Sequence, residues 1–246
     1  MAKHQKKAGH QARKRFGQNF LHDEAIIDSI ISGINPMPGD RMVEIGPGLG
    51  ALTEPLLEAA EGKLQVVELD RDLIPILRTK FFNYPDFIIH ESDALKFDFD
   101  QLADADHKLR IVGNLPYNIS TEILSKWIIS IDKNFWFSKL ILMFQKEVAD
   151  RIIAKINTSN YGRLSILSNW KLDIKKIMDI SSNSFFPKPK VESSLLIFSP
   201  KNIFYKIKNP KNLEMITRVF FNQRRKMIKK PFKHIFKDSN QIAKKL

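Results

Sequence analysis

The sequence predicts an α/β fold in which helices cover both faces of a parallel sheet, followed by a small helical appendage. Three observations support this prediction. Short apolar runs alternate with helix-like segments from Arg41 onward. A glycine-rich loop follows the first of these runs, and after Pro200 the composition turns basic and helical. The length of 246 residues fits one large domain, or one domain plus an appendage.

The individual elements follow in chain order. Asp23 is placed to cap a helix whose isoleucines recur at helical spacing, and the Pro36 to Gly39 segment ends that helix. Five apolar runs predict five strands, at residues 42–45, 64–68, 87–89, 109–112 and 140–144. A late strand is predicted at residues 195–198, and a last helix around residues 213–227.

Positive charge is concentrated at the two ends of the chain. The formal net charge is +13, yet residues 23–200 carry more acidic than basic side chains. Residues 1–22 hold six Lys and Arg and no acid, and residues 201–246 hold fourteen against two acids. This distribution favours a polyanion held by the basic ends. Basic tails that only maintain solubility are the plain alternative, and an anionic membrane surface is a weaker one, because no clean amphipathic anchor is present.

Several classes of protein are excluded by composition. The chain has no cysteine, which excludes disulfides and thiolate metal sites. No apolar stretch reaches the roughly 18 residues of a membrane span, and the basic start lacks a secretory apolar core. We therefore expect a soluble cytoplasmic protein with no membrane partner and no metal.

A glycine loop and two strand-end acids outline a nucleoside site. Residues 44–50 place Gly46, Gly48 and Gly50 between the first strand and a helix, where glycine allows a sharp turn and close approach to a ligand. Glu68 ends the second strand at the spacing where a carboxylate meets a ribose, and Asp93 follows the third strand. Nicotinamide dehydrogenases remain an alternative, although the glycine spacing departs from their Gly-x-Gly-x-x-Gly pattern.

The tetrapeptide Asn114-Leu115-Pro116-Tyr117 follows the fourth strand and suggests the chemistry. An exocyclic adenine amine is a weak nucleophile because its lone pair is delocalised into the ring. The Asn114 side-chain oxygen and the Leu115 carbonyl could accept its two N–H bonds and localise that lone pair. Pro116 would stiffen the backbone, and Tyr117 could stack on a base. An ordinary turn with a buried tyrosine is the alternative for the tetrapeptide alone.

These residues resemble the ribosomal RNA adenine dimethylases over nearly the whole chain. The resemblance rests jointly on residues 16–21, 44–50, 68–70, 93–94, 114–121, 185–193 and 222–226. It implies a Rossmann-like class I methyltransferase sheet and S-adenosyl-L-methionine as the methyl donor, with S-adenosyl-L-homocysteine as product. The donor contacts that it implies come from Asn19, Leu21, Gly46, Gly48, Glu68, Leu69, Asp93, Ala94 and Asn114. Phe185 would stack on the target base opposite Tyr117, with Phe186 the core member of the pair.

The same resemblance implies a substrate and a division into domains. The substrate would be two adjacent adenosines in a hairpin near the 3′ end of 16S rRNA, within the immature small ribosomal subunit, modified by a monomeric enzyme. We expect a disordered basic tail at residues 1–15, a catalytic domain at 16–200 and a small basic helical domain at 201–246, shorter than is usual in the family. RNA contacts are expected from Arg224, Arg225, Lys226, Lys229 and Lys230. A 23S rRNA adenine methylase of the resistance type, and an assembly factor that mainly binds RNA, remain alternatives.

Overall fold

A computed structural model of the chain describes residue 13 and residues 17–104, 107–131, 134–222 and 229–235. In chain order the strands are β1 (Phe20–Leu21), β2 (Arg41–Ile45), β3 (Leu64–Glu68), β4 (Ile88–Glu91), β5 (Leu109–Gly113), β6 (Phe137–Gln145), β7 (Leu172–Ile180), β8 (Phe185–Phe186) and β9 (Ser193–Pro200). The helices are α1 (Glu24–Ile34), α2 (Thr53–Ala59), α3 (Leu73–Lys80), α4 (Tyr117–Ser130), α5 (Lys146–Ile152), α6 (Arg163–Lys171), α7 (Pro210–Phe221) and α8 (Lys229–Ile235).

The central sheet is mixed. Its spatial order is β4-β3-β2-β5-β6-β9-β7, and β4, β3, β2, β5 and β6 run parallel to one another. Strand β9 is antiparallel to both of its neighbours, β6 and β7. The prediction of a parallel sheet is therefore confirmed for the first five strands, whereas β9 runs against both of its neighbours. Residues 181–192 connect β7 to β9 and include β8.

Most predicted elements are confirmed within a few residues, but β7 was missed. Its sequence alternates Leu172, Ile174 and Ile177 with lysines and aspartates, so it lacks the continuous apolar run of a central strand. Asp23 caps α1 as predicted, because its side chain accepts a hydrogen bond from the Ile26 amide at 3.3 Å. The predicted third strand, at residues 87–89, is β4 at Ile88–Glu91.

Apolar residues fill both faces of the sheet. Along β2, Val43 and Ile45 face the cluster that holds Trp127 of α4, while Met42 faces the cluster that holds Ile30 of α1. This alternation is the period of two that strand geometry imposes. The two clusters fix the sheet between α4 on one side and α1, α2 and α3 on the other, as the α/β prediction requires.

The C-terminal part described by the structure begins at α7. Asn209 caps the start of this helix, because its side chain accepts a hydrogen bond from the Lys211 amide at 3.1 Å. Arg163 of α6 donates to Glu214 of α7 at 2.7 Å. The predicted boundary after residue 200 stays a prediction, and the tail expected at residues 1–15 lies outside the described residues except for Arg13. Among the described residues no helix is long and apolar enough to span a bilayer.

A buried lysine terminates the helix that carries Tyr117. Lys171 is 2% exposed, and its ammonium donates to the Ile128 carbonyl at 2.9 Å and to the Ile131 carbonyl. It also lies 4.1 Å from the ring centroid of Trp170. The positive charge therefore sits at the carboxyl end of α4, where the helix dipole favours a cation.

Replacing Lys171 by methionine is expected to lower the free energy of unfolding by about 2–5 kcal/mol, because two buried carbonyls lose their donor. Lys175→Met, at an exposed position of β7, should change it by no more than about 0.5 kcal/mol. Urea unfolding of the three proteins measures both values. Equal stability of Lys171→Met and Lys175→Met would contradict the capping role.

Candidate active site

A cavity of about 350 Å³ lies at the carboxyl ends of the parallel strands. The sheet order places the residues after β4, β3, β2 and β5 side by side, which brings Asp93, Glu68, the glycine loop and Asn114 to one edge. The cavity is lined at this edge by all nine predicted donor-contact residues, Asn19, Leu21, Gly46, Gly48, Glu68, Leu69, Asp93, Ala94 and Asn114. The sequence therefore grouped residues that line one cavity, and their role in donor binding stays a prediction.

The glycine loop forms the floor of this cavity. Gly46 and Gly48 adopt positive φ angles of 68° and 60°, a region that side chains other than glycine rarely occupy. A Cβ on Gly48 would come within 2.9 Å of the Phe20 ring, and one on Gly46 would lie 3.5 Å from the Asn114 carbonyl. Glycine is needed at position 48 because of both its φ angle and the close approach of Phe20, and at position 46 because of its φ angle.

Glu68 is a buried carboxylate at the end of β3. Its Oε1 accepts a hydrogen bond from the Asp70 amide at 2.7 Å. Burial raises the pKa of Glu68, while hydrogen bonds from the backbone N–H groups of Asp70, Gly48 and Leu69 oppose that rise. The carboxylate is thus held in place between the glycine loop and the turn after β3, facing the cavity.

Asp93 follows β4 and begins a tight turn. Its Oδ1 accepts a hydrogen bond from the Leu95 amide at 2.9 Å, which orients the carboxylate. Its neighbour Ala94 is buried, whereas Leu69 across the cavity is 47% exposed. This part of the cavity therefore combines one fixed acceptor with apolar walls, which suits a flat heteroaromatic ring that carries an amino group.

The residues 114–117 lie on the opposite wall. The Asn114 amide nitrogen donates to the Asn19 carbonyl at 3.2 Å, which leaves its side-chain oxygen as an acceptor directed away from that bond. The first hydrogen bonds of α4 run from Ile119 and Ser120 to the Pro116 carbonyl, so the Leu115 carbonyl precedes the helix. Both acceptors belong to residues that line the cavity.

Tyr117 is the first residue of α4, and its side chain forms a hydrogen bond with a residue outside the helix. Its hydroxyl lies 2.7 Å from the Ser193 hydroxyl at the start of β9. Burial raises the pKa of the Tyr117 phenol, so it stays neutral at physiological pH. The ring is therefore a fixed, uncharged surface that lines the cavity.

Phe185 and Phe186 differ from the expectation. Phe185 is 2% exposed and packs in the cluster with Leu21, whereas Phe186 is 71% exposed. The prediction that Phe186 is the core member of the pair is wrong, because β8 pairs with β1 in a register that turns Phe185 inward. Phe185 does not line the cavity in this structure, and its stacking role stays a prediction.

The predicted RNA contacts lie almost entirely outside the described residues. Arg224, Arg225 and Lys226 are in residues 223–228, which the structure does not describe, and for Lys229 and Lys230 only the backbone of α8 is described. Their role therefore stays a prediction. Among the described residues no group of three or more His, Asp or Glu side chains could hold a metal ion.

Two features of the site were missed by the sequence reasoning. The side chain of Gln18 donates to Asp70 at 2.8 Å, and Arg13 donates to the same carboxylate at 3.0 Å, so the N-terminal segment is tied to the turn after β3. Gln18 and Asp70 belonged to the motifs, but their separation along the chain hid the contact. The second feature is Glu44, whose carboxylate lines the cavity at 2% exposure and accepts a hydrogen bond from Thr53 at 2.6 Å.

Glu44 should make stability depend on pH. Burial raises the pKa of Glu44 from 4.5 to about 7. Between these two values the native protein holds a proton that the unfolded chain has released, so the contribution of Glu44 to stability falls as the pH rises and is lost above 7. A change of one unit in pKa corresponds to about 1.4 kcal/mol, so above pH 7 the raised pKa of Glu44 lowers the free energy of unfolding by roughly 3 kcal/mol.

We expect Glu44→Gln to remove this dependence, because glutamine keeps an acceptor for Thr53 and does not titrate. Urea unfolding at pH 5 and pH 8 measures the free energy of unfolding of both proteins. From pH 5 to pH 8 the unsubstituted protein should lose about 3 kcal/mol more than the variant. Parallel pH profiles for the two proteins would contradict the assignment.

The cavity fits S-adenosyl-L-methionine on its own chemistry. Its volume lies within the range of small-molecule sites. Two buried carboxylates, Glu44 and Glu68, both have raised pKa values, so a ligand with positive charge would relieve their burial cost. Glu68 and Asp93 would accept hydrogen bonds from the hydroxyl and amino groups of a nucleoside. The residues present therefore suit a cationic adenosine derivative.

Comparison with known proteins agrees with this geometry. The family model described as ribosomal RNA adenine dimethylase matches residues 9–245. The chain is 54% identical over 235 residues to ribosomal RNA small subunit methyltransferase A of Pelagibacter ubique, covering 96% of this chain and 88% of the relative. It is 52% identical to the protein of the same name from Marinobacter nauticus, covering 91% and 80% of the two chains.

Solved structures give the same result. A dimethyladenosine transferase from Plasmodium falciparum has a TM-score of 0.69 and 28% identity, covering 87% of this chain and 74% of that one. The 23S rRNA methyltransferase ErmE has a TM-score of 0.64 at 23% identity, covering 83% and 79%, and supports the fold alone. With a family model that matches residues 9–245 and a relative at 54% identity, the chain belongs to the ribosomal RNA adenine dimethylase family.

Proposed function

We propose that this chain transfers methyl groups from S-adenosyl-L-methionine to the N6 amino groups of two adjacent adenosines near the 3′ end of 16S rRNA, giving N6,N6-dimethyladenosine. The observation that carries the proposal is that Asn114 and Leu115, which offer a side-chain oxygen and a main-chain carbonyl as acceptors, line the same cavity as Glu68 and Asp93. The identity of 54% to a small subunit methyltransferase supports 16S rather than 23S rRNA. The fold likeness to ErmE does not distinguish the two substrates.

The side chains around the cavity perform the positioning. Asn114 and Leu115 would each accept one N–H of the adenine amine, so that its lone pair points towards the donor. Tyr117, held by Ser193, would support the base from one face. When bound, S-adenosyl-L-methionine supplies a methyl group on a sulfonium, which is already a good leaving group. The chain therefore needs no strong base, and the amine proton passes to solvent after transfer. Catalysis is then mainly orientation and electrostatics.

The biological setting is also part of the proposal. We propose that the enzyme acts in the cytoplasm as a monomer on the immature small ribosomal subunit, with Arg224, Arg225, Lys226, Lys229 and Lys230 holding rRNA phosphates. The net charge of +12 over residues 201–246 supports this arrangement. The division into a catalytic domain at 16–200 and a basic helical domain at 201–246 belongs to the same proposal.

The test is methyl transfer from labelled donor to small subunits purified from a strain that lacks these methyl groups. Primer extension should stop at two adjacent adenosines near the 3′ end of 16S rRNA after the reaction and not before it. Label in 23S rRNA instead would favour the resistance-type methylase. Tight binding to the subunits without any transfer would favour an assembly factor that mainly binds RNA.

A further inference from the structure

The short ribbon formed by β1 and β8 has two different faces. Leu21 and Phe185 are cross-strand partners, and both are buried in the same core cluster. Phe20 and Phe186 are the other pair of partners, and partners in a ribbon project to the same side. Phe20 lines the donor cavity beside Gly48. Phe186 therefore lies on the ribbon face that borders the cavity.

Phe186 is exposed although its backbone is firmly held. The side chain is 71% exposed. The strand that carries it is anchored by the bond from the His22 amide to the Ser184 carbonyl, at 3.0 Å, and by the bond from the Ser184 hydroxyl to Asp23, also at 3.0 Å. An aromatic ring on a fixed backbone can bind a partner at little cost in conformational entropy.

The segment after Phe186 is basic and stiff. Lys188 and Lys190 are exposed, and neither forms an ion pair within the part of the chain that the structure describes. Pro187 and Pro189 restrict the backbone beside them. An exposed aromatic ring beside two free cations is the combination that binds single-stranded nucleic acid, since bases stack on the ring while cations contact phosphates.

We propose that Phe186 stacks on the nucleobase next to the target adenosine and so positions the RNA strand at the mouth of the cavity. The inference rests on the proposed function and adds a substrate contact to it. The neighbouring base is the appropriate partner because Tyr117 lines the cavity itself, whereas Phe186 lies outside its lining. Lys188 and Lys190 then contact phosphates of the same strand.

Four variants test the role of the ring. Phe186→Ala removes it, Phe186→Trp retains an aromatic face, and Phe186→Leu retains apolar bulk without one. Phe82→Ala is the matched control, because Phe82 is 76% exposed but follows α3 and does not line the cavity. Methyl transfer to unmethylated small subunits is measured under single-turnover conditions at increasing subunit concentration, and donor affinity is measured separately by calorimetry without RNA.

We expect Phe186→Ala to raise the subunit concentration for half-maximal rate about tenfold, with the maximal rate changed by no more than about twofold. Phe186→Leu should behave like Phe186→Ala, and Phe186→Trp like the unsubstituted protein. Phe82→Ala should have no effect, and donor affinity should be the same in all variants.

The inference is overturned if Phe186→Ala matches Phe82→Ala, or if leucine restores the affinity for subunits. It is equally overturned if Phe186→Ala weakens donor binding, because the ring would then act through Phe20 and the cavity. Each of these outcomes leaves methylation by the unsubstituted protein intact. Failure of the unsubstituted protein to methylate the subunits would instead overturn the proposed function, and this inference with it.

Discussion

Replacing Asn114 by alanine is expected to lower the rate of methyl transfer at least about 100-fold while the enzyme still binds small subunits. The Asn114 amide nitrogen is occupied by the Asn19 carbonyl, so the oxygen is the group left for the adenine amine. Removal of one preorganised polar contact to the reacting group costs about 100-fold to 1,000-fold in other enzymes. The effect should fall on the rate at saturating substrate, because the contact orients the amine and adds little to RNA affinity.

A second substitution separates the two functions of this side chain. Asn114→Asp keeps an acceptor oxygen and loses the donor to Asn19. It should retain more activity than alanine and bind the donor less well, since the N-terminal segment loses its contact with the cavity wall. Asn83→Ala, at an exposed turn, is the control. Loss of subunit binding by Asn114→Ala with an intact fold, or activity near that of the control, would contradict the proposed role.

The fold and the grouping of residues around the cavity were largely predictable because they depend on local pattern. Parallel strands buried on both faces favour mostly apolar runs, and β2, β3 and β5 are mostly apolar. The residues at their carboxyl ends then meet at one edge whatever the helices between them do. This is why Gly46, Glu68 and Asn114 could be placed together from sequence alone.

The features that were missed depend on contacts between distant segments. The burial of Phe185 and the exposure of Phe186 are set by the register of β8 on β1, more than 160 residues away along the chain. Two adjacent phenylalanines carry no signal that says which one faces inward. The antiparallel strand β7 is hidden for a related reason, because its lysines and aspartates interrupt the apolar pattern at the sheet edge.

Glu68→Gln is expected to weaken donor binding by about 1.5–3 kcal/mol, roughly tenfold to 150-fold, because a charge-assisted hydrogen bond to the ribose is lost. Glutamine preserves the length of the side chain and one acceptor for the amide of Asp70. The substitution therefore tests the charge and leaves most of the local packing in place. Calorimetry with S-adenosyl-L-homocysteine measures the affinity without turnover.

Glu68 also holds the glycine loop, so a loss of affinity alone does not establish contact with the ribose. Hydrogen bonds from the Gly48 and Leu69 amides reach the same carboxylate. A donor analogue that lacks the ribose 2′ and 3′ hydroxyls separates the two explanations. If Glu68 binds the hydroxyls, the substitution should cost little affinity for the analogue, and the two changes should be strongly non-additive. Equal losses for both ligands would assign Glu68 to loop support and remove it from the ribose site.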